Sequence, residues 1–506
     1  MATQTMEPGG LMVEKHATGI PGFDIIADGG LPDGRVTLVA GSAGSAKTVF
    51  CCHFLAAGIE LWDEPGVFVT FEDPPRDVRS NMSSFGWDIA RWEEAGAWTF
   101  VDATPDYGDV AEVVVGGFDL SGLLARIRHA VQTTVARRVA LDSLNALFAR
   151  FEDRRVMRSE MFRIAAMLRE MQVTTVFTGE RTQEYGEITR YGVEEFVADN
   201  VIILRHILME ERRRRTMEIL KFRGTSHRNG EFPFTIGPRG LVVIPLSAVA
   251  LTQKSSNIRI TSGSAEMDEM VGGGFFRDSI ILVSGATGTG KTLTVSHFLH
   301  GGALAGERAL LFAFEESREQ LYRNAGSWGM DFPALEARGL LEVVTAYPHA
   351  ASMEDHLIEM KNVISRFQPN RVAVDSLSAL EREATQRSFR EFVINLTATL
   401  KQQEIAGMFT STTPTLAGGT SVTEKHISTL TDTIVLLRYV EARGEMRRAL
   451  TVLKMRGSMH DKAIREFQID AGGIHIGGRF EGITGILAGR LSLVEESGGG
   501  GEPARE

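Results

Sequence analysis

The chain has 506 residues, long for one hydrophobic core and comfortable for two domains of ordinary size. Apolar residues make up 43% and charged residues 24%, and a net charge of -11 excludes an overall basic character that would draw nucleic acid or an anionic membrane. The only cysteines, Cys51 and Cys52, are adjacent and have neither disulfide nor zinc-ligand spacing. No apolar run approaches the roughly 18 residues that cross a bilayer, and no signal-peptide core opens the chain, so a soluble cytoplasmic protein is expected.

After a short N-terminal lead, the apolar run VTLVA meets Gly41-Ser-Ala-Gly44-Ser-Ala46-Lys47-Thr48 and continues as VFCCHFLAAGI. Strand, glycine-rich turn and helix form the context of a phosphate-binding loop: backbone N–H groups wrap phosphate oxygens, the lysine reaches the outer phosphates, and the hydroxyl binds magnesium. The loop departs from the pattern at Ala46, where glycine is usual; a methyl group fits there if the backbone angles are ordinary. Cys51 and Cys52 fall in the following helix and read as packing residues.

The next strand, VFVTF, ends at Glu72-Asp73, where a carboxylate can face a γ-phosphate and polarise an attacking water or hydroxyl. The alternative for this pair is a solvated turn before Pro74-Pro75. WTFVDA and RRVALDS follow, the latter closing on Asp142, a Walker B candidate that can orient the magnesium shell near Thr48. A helix is predicted to begin near Ser159, with Met161, Ile164, Met167 and Leu168 on its apolar stripe. TTVFTG and NVIILRH are further strands, and RRRRTMEILKF with EFPFTI reads as a terminal antiparallel pair. The run Arg212 to Arg215 suits solvent or interface ion pairs. For Lys221, Arg223 and His227 two readings stay open: a charged turn, or cations that one subunit of a ring projects onto nucleotide held by its neighbour.

The same order then recurs. SIILVS leads into the complete loop Gly285-Ala-Thr-Gly288-Thr-Gly290-Lys291-Thr292; Glu315-Glu316 ends the next strand; NRVAVDS closes on Asp375; and Lys454, Arg456 and His460 repeat the cationic set. Lys47 and Lys291 are 244 residues apart, whereas the aspartates and the later lysines are each 233 apart, so a loop between the phosphate loop and the aspartate is shorter in the second of two copies of one domain. The predicted fold is α/β, with tandem RecA-like P-loop domains and mostly parallel central sheets. Residues 1–254 form the first domain, 255–486 the second, and 487–506 a flexible tail. Thr48, Asp142, Thr292, Glu316 and Asp375 are the candidate metal ligands. Trp87 and Trp328 recur in FGWD and WGMD contexts, and Trp328 reads equally as an adenine contact or a core residue.

EPGVFVTFEDPP, RYGVEEFVADNVIILR, ERRRRTMEILKFRGTSH, DEMVGGGFF, GATGTGKT, HISTLTDT and KMRGSMHDKAIREF together resemble the circadian clock KaiC family, a double-domain branch of the RecA-like ATPases, over nearly the whole chain. The resemblance implies a homohexamer of two stacked rings holding ATP and Mg2+ at subunit interfaces. It implies an N-terminal ATPase using Glu72, with Asp73 at the place of a second glutamate. It implies a C-terminal autokinase and dephosphorylating enzyme using Glu315 and Glu316, with Ser428 and Thr429 as phosphoacceptors. It also assigns Lys221, Arg223, Lys454 and Arg456 to the neighbouring subunit's nucleotide. Thr423 matches a family threonine, while Glu424 lengthens the aspartate usual beside it. A KaiB-like partner is implied on the N-terminal ring. A KaiA-like activator is the weaker expectation, because the tail departs from the activator-binding pattern and ends early, which favours activator-independent phosphorylation. A signalling kinase or response protein is the expected type of output partner. The competing readings are a RecA-like nucleic-acid-dependent ATPase, disfavoured by the acidic balance, and a nucleotide-stabilised signalling scaffold.

Overall fold

A computed structural model describes residues 13–104, 120–149, 151, 153–192, 194–209, 212–245, 255–413, 427–442, 444–480, 483–484 and 492–493. The chain divides into two compact units, Met1–Ala248 and Val249–Glu506. The expected domain junction at 254/255 falls at the edge of residues outside the described set, as do Thr423, Glu424 and most of the expected tail. Within that tail, Ser492–Leu493 pairs antiparallel with Ile483–Thr484.

The first unit is built on β1 (Val36–Gly41), β2 (Gly66–Thr70), β3 (Trp98–Asp102), β4 (Arg138–Asp142), β5 (Thr174–Glu180), β6 (Asn200–Met209), β7 (Arg212–Phe222), β8 (Glu231–Gly237) and β9 (Gly240–Val243). They form one nine-stranded sheet in the order β9-β8-β7-β6-β1-β5-β4-β2-β3. Strands β1 to β6 run parallel and β6 to β9 antiparallel, so the expected terminal pair, β7 with β8, is present and extends into a four-strand meander. All six residues of β1 are buried, as a strand covered by helices on both faces must be. The phosphate-loop helix α1 (Lys47–Trp62) is apolar around its circumference, and buries Phe50, Cys51, Cys52 and Phe54. The helix expected near Ser159 starts earlier: α2 (Arg154–Glu170) is capped by Asp153, whose carboxylate accepts the Arg155 N–H at 2.8 Å. Met161, Ile164, Met167 and Leu168 are all buried, and the stripe extends back to Met157 in the first turn.

The second unit repeats the plan with β10 (Ile280–Gly285), α3 (Lys291–Leu304), β11 (Ala309–Ala313), α4 (Arg318–Ser327), β12 (Leu341–Thr345), β13 (Arg371–Asp375), β14 (Ala406–Thr412), β15 (Thr433–Ala442), β16 (Glu445–Met455), β17 (Arg465–Asp470) and β18 (Gly473–Arg479). Its order, β12-β11-β13-β14-β10-β15-β16-β17-β18, is that of the first sheet read from the other end. Each sheet is braced by a buried arginine at the start of β4 or β13. Arg138 donates to Glu64 and to the carbonyls of Phe54 and Ala17; Arg371 donates to Glu307 and to the carbonyls of Phe298 and Thr261. Gly58 makes room for the first guanidinium and Gly302 for the second: a Cβ at either position would lie 2.5 or 2.4 Å from the arginine Nε.

Candidate nucleotide-hydrolysing sites

The parallel strands end together at one edge of each sheet, and that edge collects the chemistry. Lys47 leaves the loop after β1 and donates to the carbonyls of Gly41 and Ser42 at 2.9 Å; Lys291 does the same with Gly285 and Ala286 at 3.0 Å. Burial pulls both lysines below their ordinary proton affinity, because a desolvated ammonium is disfavoured. Thr48 Oγ1 donates to Asp142 Oδ2 at 2.5 Å, and Thr292 Oγ1 to Asp375 Oδ2 at 2.7 Å.

The other oxygen of each aspartate accepts from a residue that sequence reasoning did not single out: Thr178 on β5 and Thr410 on β14, both at 2.5 Å. The signal was available in the matched Phe-Thr steps of TTVFTG and AGMFTS. Burial raises the proton affinity of Asp142 and Asp375, and the threonine hydrogen bonds oppose it. A buried carboxylate beside the loop hydroxyl is a hard-oxygen donor pair, which fits Mg2+ held by one carboxylate, a hydroxyl and substrate phosphates. Among the described residues there is no cluster of three His, Cys, Asp or Glu side chains that could hold a metal ion.

The acidic pairs follow β2 and β11, and are held differently. Ser143 Oγ donates to Glu72 Oε1 at 2.5 Å. In the second unit Ser376 Oγ instead accepts the Ala379 N–H and caps a helix, and Glu315 pairs with Arg382 Nη2 at 2.6 Å. Glu316 accepts from Asn324 at 2.8 Å, and burial together with Asp375 raises its proton affinity. Asp73 is exposed, beside Asp142 in charge terms. An open groove beside Glu315 and Glu316 is lined by Phe314, Thr345 and Tyr347. A second residue missed in the sequence is Glu180, which lies opposite Gly41 in register, where the second unit has Thr412 opposite Gly285. Its carboxylate accepts from Asn145 at 3.3 Å and acts on Lys47 by charge.

Ala46 corrects an expectation. Its backbone is left-handed, φ 75° and ψ 30°, and Gly290 is at φ 105° in the equivalent place. The methyl is therefore accommodated in the conformation that favours glycine, and it packs against the core around α1. Gly44 and Gly288 are also at positive φ, while Gly41 and Gly285 end β1 and β10.

Each cationic set lies toward the opposite sheet edge from its own loop. Lys221 pairs with Val201 and Val201 with Leu38, which is three residues, about 10 Å, before Gly41 along β1. Lys221 donates to the carbonyls of Glu195 and Ala198, and Arg223 lies 3.8 Å from Asp199. His227 packs on Phe222 at 5.4 Å. Lys454 and Arg456 occupy the same edge of the second sheet, donating to the carbonyls of Thr431 and Thr429. His460 is half-buried nearby in sequence. Ser428 and Thr429 lie in the one-turn helix Ile427–Thr429, just before β15 begins. Trp328 caps the C-terminus of α4, partly buried against the core, and Trp87 is in the core of the first unit.

Loop lysine, hydroxyl–aspartate pair and acid at the ends of parallel strands define each unit as a RecA-like P-loop nucleoside triphosphatase domain. A family model described as "ATPase: KaiC" matches residues 16–248 and again 260–480. The chain is 63% identical over 486 residues to the circadian clock protein KaiC3 of Synechocystis sp., covering 96% of each chain. It is 54% identical over 488 residues to the circadian clock oscillator protein KaiC of Synechococcus elongatus, and 55% identical over the same length to that of Parathermosynechococcus lividus, covering 96% of this chain and 94% and 90% of theirs. The chain belongs to the KaiC family of ATPases. Among the described residues no helix is long and apolar enough to cross a membrane.

Proposed function

We propose that the protein is an ATP-hydrolysing serine/threonine autokinase and dephosphorylating enzyme of a timing or signalling system, working as a hexamer of two stacked rings. One observation carries this reading: in the second unit the acceptor segment and its cations share one edge of the sheet, while the phosphate loop and acids occupy the other. Ser428 and Thr429 precede β15, whose Thr433 pairs with Ile281 near the start of β10, and the loop begins after Gly285 at its end. The four steps from Ile281 to Gly285 along β10 make that separation about 13 Å. A phosphoryl group cannot cross that span within one sheet, so transfer runs to the acceptor of a neighbouring subunit. Lys454 and Arg456 at that acceptor edge then supply positive charge to the phosphates held by the neighbour, and Lys221 and Arg223 do so in the first ring.

At each site Lys47 or Lys291 would leave its loop carbonyls for the phosphates, and Thr48–Asp142 or Thr292–Asp375 would hold Mg2+. The metal, when bound, neutralises charge that develops on the transferring phosphoryl group. In the first unit Glu72, oriented by Ser143, takes the proton of an attacking water. In the second, Glu315 or Glu316 takes the proton of the Ser428 or Thr429 hydroxyl as its oxygen bonds the γ-phosphorus and the bond to the β-phosphate oxygen breaks, releasing ADP; the phosphate so added creates a charge that repacks the ring. A KaiB-like partner on the first ring belongs to this reading, as does activator-independent phosphorylation. The acidic balance of the chain supports it over a nucleic-acid-dependent motor.

Incubation with γ-labelled ATP and magnesium followed by peptide mapping tests the assignment. Label at Ser428 and Thr429, lost in Glu315→Gln with nucleotide binding retained, is expected. An assembled, magnesium-loaded protein without label at either residue would sink the autokinase reading.

A further inference from the structure

The first phosphate loop carries a hydroxyl that the second lacks, because Ser42 stands where the second repeat has Ala286. Ser42 Oγ donates to Glu184 Oε1 at 2.6 Å. The other carboxylate oxygen, Oε2, accepts the backbone N–H of His206 at 3.0 Å, and the Glu184 carbonyl accepts from Arg205 Nε at 3.1 Å. Both partners lie on β6 just past Leu204, the residue paired with Gly41. Arg205 in turn is 6% exposed, donates to Glu218 on β7 at 2.5 Å, and lies 4.9 Å over the Tyr185 ring.

Ser42 is thus held from two sides. Its carbonyl accepts from Lys47 at 2.9 Å, and its hydroxyl is gripped by a carboxylate that is itself fixed to the β6–β7 hairpin. A carboxylate next to a cradle for a polyanion does not raise affinity, since its charge opposes the triphosphate. What it supplies is a charge-assisted hydrogen bond, short and directional, to a loop whose backbone donors must point at developing charge.

We propose that Glu184 is a positioning residue for ATP hydrolysis at the first site, acting through Ser42 to hold the phosphate loop in its productive geometry and to couple that loop to the β6–β7 hairpin. The proposal rests on the reading that the first unit hydrolyses ATP. The second loop has no side-chain hydroxyl at position 286, so this tether distinguishes the two sites. Movement of the hairpin is transmitted to the phosphate loop in the first unit through Glu184.

The test uses the full chain carrying Glu315→Gln and Glu316→Gln, so that turnover reports the first unit, with ATP affinity measured separately by equilibrium binding. Ser42→Ala is expected to lower kcat about tenfold, the loss of one hydrogen bond to a charged group, with ATP affinity within about twofold of the parent. Ser42→Thr keeps the hydroxyl and restores kcat to within about twofold. Glu184→Ala, which removes both acceptor oxygens, falls as Ser42→Ala does, and the double variant falls no further. Unchanged kcat in Ser42→Ala, a loss borne by affinity alone, a Ser42→Thr variant as slow as Ser42→Ala, or a double variant showing the product of the single losses would each overturn the proposal. A parent that binds ATP at the first site but does not turn it over would remove the hydrolysis assignment itself, a result distinct from all of these.

Discussion

The first loop carries an alanine in a left-handed conformation, and reciprocal exchange at that position is a sharp test of how the two loops differ. Left-handed backbone costs an L-residue about 1–2 kcal/mol, and Ala46 has φ 75°. Ala46→Gly removes that cost but gives back about 0.4–1 kcal/mol through the freer unfolded chain, and loses roughly half a methyl burial, about 0.4 kcal/mol. The net change is expected between about 0.4 kcal/mol of destabilisation and about 1.2 kcal/mol of stabilisation. Gly290→Ala runs the other way. At φ 105° a Cβ would lie 3.0 Å from Ile469 Cδ1 and 3.7 Å from Phe467, so the backbone cost is joined by a tight contact. A net loss of about 1–2 kcal/mol is expected there, beyond the entropic gain. Hydrogen exchange of the full chain, read peptide by peptide over 46–62 and 290–304, separates the two units without requiring two-state unfolding. Exchange at the second helix should quicken about fivefold or more in Gly290→Ala. A neutral Gly290→Ala, or an Ala46→Gly that loosens its helix by more than about 1 kcal/mol, would refute the reasoning.

Removing Arg138 as Arg138→Met should cost about 3–5 kcal/mol, because Glu64 and two backbone carbonyls lose a buried partner; a Tm within a degree of the parent would contradict the bracing role, and Arg371→Met should behave alike. Thr178→Val leaves one oxygen of the buried Asp142 without its hydroxyl donor and should destabilise the first unit by about 1–3 kcal/mol, measurable as faster exchange along β4 and β5. Metal- and nucleotide-free protein should lose stability as pH rises from about 4. Asp142 and Asp375 start from an ordinary value of 3.8 and are raised on folding, so the native state holds more protons in the window above 3.8 and ionisation there favours unfolding. Mg2+ with nucleotide should flatten that slope, since the metal binds the ionised carboxylate. Urea midpoints between pH 4 and 7 check this, and a slope unchanged in the Asp142→Asn/Asp375→Asn protein would assign it elsewhere.

Apolar β-branched runs closed by Asp142 and Asp375 were legible as strands because a parallel sheet covered on both faces leaves no polar alternation to confuse them. The catalytic edge followed from where those runs ended. Less visible were contacts made across strands far apart in sequence: Thr178 meets Asp142 only because β5 is registered beside β4, and Glu180 meets the first loop only because it lies opposite Gly41. The start of α2 lies earlier because its buried stripe extends back to Met157, in a first turn opened by Arg154 and Arg155 and capped by Asp153. The backbone of Ala46 was misjudged for a different reason. Residue type sets what a left-handed angle costs, whereas the loop, pinned between β1 and α1, sets whether it is adopted.

The two sites share a scaffold but differ in what orients their acids, and this difference bears on the kind of proton transfer each supports. Glu72 is held by the neutral hydroxyl of Ser143, whereas Ser376 is occupied as a helix cap and Glu315 is held by Arg382, which stands where the first unit has Ala149. The Glu315–Arg382 pair is exposed on both sides, so it is weak and readily exchanged for a substrate hydroxyl. Behind it, Glu316 is half-buried with raised proton affinity, in the place of the exposed Asp73. Two carboxylates in unlike surroundings can take different parts in proton transfer, which suits phosphoryl transfer to a side chain and its reversal. On the proposed reading, the first unit needs only a base in a fixed place, and its extra carboxylates, Glu180 and Glu184, act on the loop rather than on the reacting oxygen.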